Sequence, residues 1–82
     1  MKEKHKDFYT AIGNNLRKIR LEKGFSQQDL ANRCDVERAK ISRIENATED
    51  FLLSTLLEIS IALGVNLSIL IEHENSQHTN SN

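Results

Sequence analysis

The chain has 82 residues, a formal net charge of −1 and a single cysteine, Cys34. A chain of this length forms one small domain, and one thiol excludes a disulfide framework. There is no apolar run of about 20 residues, which excludes a membrane-spanning helix. Together with the lack of a leader-like segment, these features predict a cytoplasmic protein.

The charge is unevenly distributed along the chain. All 11 Lys and Arg lie within residues 1–43, which carry a net charge of +5. Residues 44–82 hold six Asp and Glu and no Lys or Arg, so they carry a net charge of −6. Such polarity is typical of a protein with one face turned toward a polyanion, although small proteins also acquire uneven charge by chance.

The chain begins with a stretch predicted to be a flexible basic arm, residues 1–6. The folded domain is predicted over residues 7–72, and its first helix over residues 7–23. That helix is indicated by apolar residues at helical spacing and by Gly24 as a stop signal. The apolar residues of this stripe are Ile12, Leu16 and Ile19.

The clearest helix start in the sequence is Ser26. Asp29 follows at the spacing of a capping box, and Phe25 and Leu30 occupy the positions of a hydrophobic staple. A second helix of about eight residues is therefore predicted. Its inward-facing residues are Leu30, Ala31 and Cys34, and Cys34 is interpreted as a small core residue.

A turn is predicted around residues 34–36, where Asp35 tolerates a left-handed backbone better than most residues. A third helix follows from about residue 37 to residue 46. Its buried pair is Ile41 and Ile44. Two short helices joined by such a turn predict a helix-turn-helix, whose second helix enters the major groove of DNA.

The exposed face of the third helix carries residue types that contact base edges. Arginine can bind guanine O6 and N7 together, and a small apolar side chain can lie against a thymine methyl group. An ordinary solvated surface helix is the alternative. The residues of this face are Arg38, Ala39, Lys40, Ser42 and Arg43.

A fourth helix is predicted over residues 53–63, with Gly64 as its stop, and a fifth from Asn66 to about residue 72. Both are more apolar than a small monomer buries, which indicates an interface. A more completely packed core is the alternative. Residues 73–82 are predicted to form a disordered polar tail. The residues assigned to the interface are Leu52, Ile61, Leu67, Ile69 and Ile71.

The segment from Phe25 to Asn46 resembles the signature of the lambda-repressor-like (XRE, or Cro/repressor) helix-turn-helix family. The resemblance continues through residues 53–65 and covers about residues 8–72. It implies a compact, all-α, five-helix DNA-binding domain that dimerises on a palindromic operator. Within the family, the chain is similar to stand-alone controller proteins and Cro-like regulators.

The resemblance also implies roles for individual residues. Arg20 and Glu45 match a pair that forms an internal salt bridge in the family, although two unrelated surface charges are the alternative. Gln27 would both contact a phosphate and brace the recognition helix. The implied base-contacting residues are Arg38, Ala39, Ser42 and Arg43, and the implied phosphate contacts are Gln27, Lys40, Arg17 and Asn46.

The sequence departs from the family pattern at three places. Asp35 stands at a turn position usually filled by glycine, and Glu37 stands at a helix N-cap where Ser or Thr is usual. The loop of residues 47–50 is acidic where the family is often basic. We therefore expect a weak cap on the third helix and no phosphate contacts from this loop.

No enzymatic, metal or cofactor chemistry is predicted, and no small-molecule ligand is expected. The three histidines, His5, His73 and His78, have no metal-ligand spacing with Cys34. Two other functions stay open. One is an antitoxin-type module that binds a toxin through its acidic half and autoregulates, and the other is a degenerate helix-turn-helix kept for dimerisation.

Overall fold

The computed structural model describes residues 1–73, so all but His73 of the predicted polar tail lies outside the described residues. No strand occurs within this range, and the predicted all-α, five-helix architecture is confirmed. A short 3-10 helix, Glu3–His5, runs directly into the first α-helix. The five helices are α1 (Lys6–Glu22), α2 (Gln27–Ala31), α3 (Arg38–Glu45), α4 (Leu53–Leu63) and α5 (Leu67–Ile71).

The core is built from one apolar face of each α-helix. α1 lies at the centre and contacts both α3 and α5, while α2 contacts α3 and α4. Because α3 turns its isoleucines inward, its opposite face is left at the surface. The fully buried side chains are Leu16, Leu30, Ile41, Ile44, Ile59 and Leu70.

α2 begins as predicted and ends earlier than predicted. The Ser26 hydroxyl accepts a bond from the Asp29 amide, and the Asp29 carboxylate accepts one from the Ser26 amide, so the capping box is confirmed. The helix ends at Ala31, and after Asn32 the amides bond three residues back, with Arg33 N–H donating to the Leu30 carbonyl and Cys34 N–H to that of Ala31. The prediction of eight helical residues is wrong because this tighter winding replaces the last α-turn.

Three helices end in the same motif. In α1 and α4 the left-handed residue is the predicted glycine, Gly24 or Gly64, with φ of 78° and 73°. In α3 it is Ala47, with φ of 54°, and the bonds from Ala47 N–H to the Ile44 carbonyl and from Thr48 N–H to the Arg43 carbonyl complete a Schellman motif.

The sequence interpretation assigned left-handed tolerance to Asp35 instead. This interpretation is wrong for the described residues 1–73, where Ala47 is the one non-glycine residue with a positive φ. The 3-10-type winding after α2 turns the chain without a left-handed residue. The left-handed residue is instead Ala47, at the point where α3 stops and the acidic loop begins.

Several apolar side chains of α4 and α5 face solvent. Leu52 and Ile61 are 71% and 75% exposed, whereas Leu67 is half-buried and packs against the core. Within residues 1–73, no helix is both long and apolar enough to cross a membrane. The exposed apolar residues of this region are Leu52, Leu53, Leu57, Ile61, Ile69 and Ile71.

Candidate nucleic-acid interface

The outer face of α3 presents the side chains that the sequence predicts as base contacts. Arg38, Ala39 and Arg43 are exposed, and they lie within one and a half turns of helix. Ser42 is half-buried, and its hydroxyl lies 3.4 Å from Nδ2 of Asn46, which donates to it. The structure therefore places these residues together on one helix, with Asn46 following its last turn.

A buried ionic network fixes the C-terminal end of α3. Arg20 donates from Nε to Glu45 Oε2 at 2.6 Å and from Nη2 to Glu45 Oε1 at 2.9 Å. Its Nη1 donates to the Phe25 carbonyl at 2.8 Å, which adds the segment between α1 and α2 to the network. The hydrogen bonds to Glu45 raise the pKa of Arg20 above its ordinary value.

Gln27 joins the same network from the first position of α2. Its Nε2 donates to Glu45 Oε1 at 3.1 Å. The side chain that the sequence predicts as a phosphate contact and brace is thus bonded to the last residue of α3. α1, α2 and α3 are therefore tied together at one buried carboxylate, which fixes the direction of the α3 axis.

A second ionic cluster lies on the surface of α3. Glu49, in the loop after α3, places Oε2 at 2.5 Å from Lys40 Nζ and Oε1 at 2.7 Å from Arg43 Nε. Lys40 also donates to the Asp50 carbonyl at 3.0 Å. The hydrogen bond from Lys40 is the main reason that the pKa of Glu49 lies below its ordinary value. We call the side chains of Glu49, Lys40 and Arg43 the Glu49 cluster.

The loop that carries Glu49 is attached to α1. The Tyr9 hydroxyl donates a hydrogen bond to the Asp50 carboxylate, and the rings of Tyr9 and Phe51 lie 5.1 Å apart. This hydrogen bond raises the pKa of Tyr9 and lowers that of Asp50. Of the two carboxylates in this loop, that of Glu49 binds Lys40 and Arg43, and that of Asp50 accepts from Tyr9.

Arg17 and Glu37 are two further residues that the sequence analysis singles out. Arg17 is exposed on α1. Glu37 stands at the N-cap of α3, and its side chain makes no capping hydrogen bond, so the predicted weakness of this cap is confirmed. Among residues 1–73, no group of three or more His, Cys, Asp or Glu is arranged to hold a metal ion.

Sequence reasoning missed the part played by Glu49, Asp50 and Tyr9. The acidic loop departs from the family pattern, but spacing alone does not reveal which cations a loop carboxylate reaches. The sequence carries no signal for this contact, because the chain is reversed toward α3 at the left-handed Ala47, two residues before Glu49, and alanine is not selected for that conformation.

Comparison with known proteins identifies the family. The sequence model described as Helix-turn-helix (HTH_3) matches residues 16–70, which is more than half of the chain. The chain belongs to this helix-turn-helix family. The matched residues include α2 and α3, so the two helices described above are the family's helix-turn-helix unit.

Helix-turn-helix relatives named as regulators share much of this sequence. Control protein C.BamHI of Bacillus amyloliquefaciens is 43% identical over 62 residues, which cover 74% of this chain and 76% of the relative. A Neisseria hypothetical transcription factor, from Neisseria meningitidis serogroup B, is 34% identical over 59 residues. Those residues cover 72% of this chain, which spans 56% of the Neisseria protein.

A solved helix-turn-helix structure is similar in fold as well as in sequence. It is the restriction-modification controller protein C.Esp1396I, a tetramer in complex with its natural 35 base-pair operator. The TM-score is 0.71 at 32% identity, and the match covers 77% of this chain and 83% of the controller protein. The helix-turn-helix unit thus lies in a fold that this controller protein shares.

Proposed function

We propose that this protein is a sequence-specific double-stranded DNA-binding transcription regulator, without enzymatic activity, that acts in the cytoplasm. α3 enters the major groove, and Arg38, Ala39 and Arg43 contact base edges with Ser42 beside them. The observation that carries this proposal is that α3 exposes Arg38, Ala39 and Arg43 while hydrogen bonds of Glu45 hold its end against α1 and α2.

The named relatives support a regulatory role. Two of them are a control protein and a hypothetical transcription factor, and C.Esp1396I is described in complex with its operator. Family membership and a matching fold make the same mode of action the simplest one for this chain. Arginines on the outer face of α3 supply the chemistry that such a role needs.

Phosphate binding is assigned to residues at the edges of α3. Arg17 is exposed on α1, and Asn46 is exposed directly after α3, so both side chains are available to phosphates. Gln27 and Lys40 already have protein partners, Glu45 and Glu49. Gln27 could contact a phosphate while it keeps its bond to Glu45, whereas Lys40 would contact a phosphate only by exchanging Glu49 for it.

A homodimer is the proposed binding form. Leu52 and Ile61 are more exposed than most leucine or isoleucine side chains, and Ile69 and Ile71 are partly exposed on α5. Pairing two copies through these residues would bury them and place two α3 helices on one duplex. Leu67 packs mainly within its own protomer and would lie at the margin of the interface.

In-vitro selection of bound duplexes tests the proposal. At about 0.15 M salt, the protein should enrich a palindromic motif with half-sites spaced by about one helical turn. Its affinity should fall steeply with rising salt, because bound Lys and Arg release counterions from phosphates. Recovery of random sequences only would contradict base recognition, and enrichment of a single half-site would contradict the dimer.

A further inference from the structure

We propose that Glu49 is a positioning residue that sets the sequence specificity of α3. It orients the Arg43 guanidinium toward the base edges and withholds Lys40 from sequence-independent phosphate binding. This inference rests on the proposed function, because it concerns how the same helix distinguishes one duplex from another.

The contact with Arg43 lies at one edge of its guanidinium. Glu49 Oε1 is 2.7 Å from Nε, so this ion pair leaves the two Nη groups at the end of the side chain available. A bidentate contact to guanine needs two N–H groups of one guanidinium in a fixed orientation. The Arg43 side chain is 45% exposed, so it reaches solvent while one edge is held.

Ordering of the Arg43 side chain before DNA binds favours binding. A free arginine loses rotamer entropy when it docks, and a side chain already ordered by a neighbour loses less. An arginine held at Nε also has fewer ways to bind a wrong base or a passing phosphate. Both effects increase the difference in affinity between the correct duplex and others.

Lys40 is affected differently by the same carboxylate. Its ammonium contacts Glu49 Oε2 and the Asp50 carbonyl, which uses two of its three N–H donors, and its side chain is 26% exposed. Sequence-independent affinity comes mainly from Lys and Arg on phosphates. A lysine bonded to its own protein contributes less to binding of random DNA.

The Glu49 cluster is supported by its backbone. Thr48 N–H and Thr48 Oγ1 both donate to the Arg43 carbonyl, and Tyr9 holds Asp50 on the other side of Glu49. Glu49 therefore projects from a loop segment fixed at both neighbouring residues. Its lowered pKa keeps the carboxylate ionised at neutral pH, where DNA is bound.

The test compares Glu49→Gln with the wild type on two duplexes of equal length, the selected operator and a scrambled version. We expect the variant to bind the scrambled duplex about threefold to tenfold more tightly, with a salt slope steeper by about 0.9, the value for one added phosphate contact. The ratio of operator to scrambled affinity should fall about fivefold or more, the low end of what a bidentate arginine provides.

Glu22→Gln is the matched control. It removes the same charge from the last turn of α1, beside α5, and should leave the ratio at its wild-type value. Selection with Glu49→Gln should relax preference at the base position that Arg43→Ala relaxes. In a protein that already carries Arg43→Ala, adding Glu49→Gln should not reduce the base preference at that position any further. A merely structural role of Glu49 would not produce this outcome.

Two results would overturn the inference. One is an unchanged affinity ratio in Glu49→Gln when the wild type selects a motif, which leaves the proposed function intact. The other is an equal loss of affinity for both duplexes together with a lower unfolding midpoint, which would make Glu49 a structural residue. Failure of the wild type to select any motif would instead reject the proposed function, and the inference with it.

Discussion

At the scale of single residues, Gly13 determines how closely α1 can lie to the end of α3. A Cβ atom at this position would stand 2.5 Å from the Ile44 carbonyl oxygen and 2.6 Å from that of Glu45. These are backbone atoms, so they cannot swing aside as a flexible side chain would. The Arg20–Glu45 pair, which joins the same two helices, depends on this close approach.

Gly13→Ala should therefore lower the free energy of unfolding by about 1–3 kcal/mol, the usual cost of overpacking. In an unobstructed helix the same change is stabilising, because alanine has the higher helix propensity. The measurement is urea unfolding, with Asn14→Ala as the control at the exposed neighbouring position. Equal stability of Gly13→Ala and the wild type would show that the helices can separate at little cost.

Some contacts of single residues were predicted from the sequence, and others were not. The pairing of Arg20 with Glu45 was implied by the family resemblance and is present at 2.6 Å. The need for glycine at Gly13 and the reach of Glu49 were not predicted. Both depend on which backbone or side-chain atoms of a distant segment lie opposite, and neither spacing nor hydropathy carries that information.

At the scale of elements, α2 and α3 begin with caps of different quality. Ser26 and Asp29 satisfy two amides at the start of α2, while the Glu37 side chain satisfies none at the start of α3. Glu37→Ser should raise the free energy of unfolding by about 0.5–1 kcal/mol, because its hydroxyl can accept a bond from an amide of the first turn.

Thermal unfolding checks this prediction. Glu37→Gln is the control, since it removes the same charge without supplying a good capping oxygen. A gain in midpoint confined to Glu37→Ser would assign the effect to the cap. An equal gain in both variants would assign it to the loss of negative charge and would contradict the capping argument.

The capping box of α2 also makes stability depend on pH. The hydrogen bond from the Ser26 amide lowers the pKa of Asp29 from its ordinary value of 3.8. Because the folded pKa lies below the unfolded one, the contribution is complete above the ordinary pKa and is lost as pH falls through the lowered value. Stability should therefore decline in acid, where Asp29 becomes protonated.

Asp29→Asn should show a shallower decline in thermal midpoint between about pH 6 and pH 3 than the wild type, because its amide does not titrate. Glu49 and Asp50, whose pKa values are also lowered by their partners, titrate in both proteins. The difference between the two curves therefore isolates Asp29. Parallel curves of thermal midpoint against pH would mean that the charge of the Asp29 carboxylate does not contribute to stability.

Element boundaries were predicted well where a strong local signal exists. Ser26, Gly24 and Gly64 mark helix ends through their own backbone or side-chain chemistry, and the structure places all three at such ends. The end of α2 was mispredicted because Ala31 and Cys34 can pack against the core in either an α- or a 3-10 conformation. The left-handed Ala47 had no local signal, since alanine is not selected for that conformation.

At the scale of the whole molecule, exposed apolar side chains on α4 and α5 form the proposed homodimer interface. Ile61 is the most exposed of them, at 75%. Ile61→Asp should convert a dimer to a monomer while leaving each protomer folded, because the side chain contributes little to its own core. Sedimentation equilibrium measures the change, and helical circular dichroism monitors the fold.

Leu21→Asp is the control for this prediction, because Leu21 is an exposed leucine of α1 outside the proposed interface. It should remain dimeric. If Ile61→Asp dimerised as the wild type does, the interface would lie elsewhere, and the exposed face of α4 would need another explanation.

The fold class and the location of the helix-turn-helix unit were predictable because periodicity, caps and glycine stops agree along residues 7–72. The set of apolar side chains that the protomer leaves exposed was predictable only in part. Leu52 and Ile61 are exposed as expected, yet Leu67 packs against the core. In a five-residue helix, the side chain that turns inward is decided by neighbouring elements and not by its own period.

The central claim, that the outer face of α3 recognises bases, is tested most directly by in-vitro selection with Arg43→Ala beside the wild type. Loss of this arginine should relax preference at one base pair, repeated in both half-sites, at a cost of about 1–3 kcal/mol for the preferred sequence. The flanking positions should keep their preference. Recovery of the same motif with the same affinity by both proteins would contradict the assignment of α3 to the major groove.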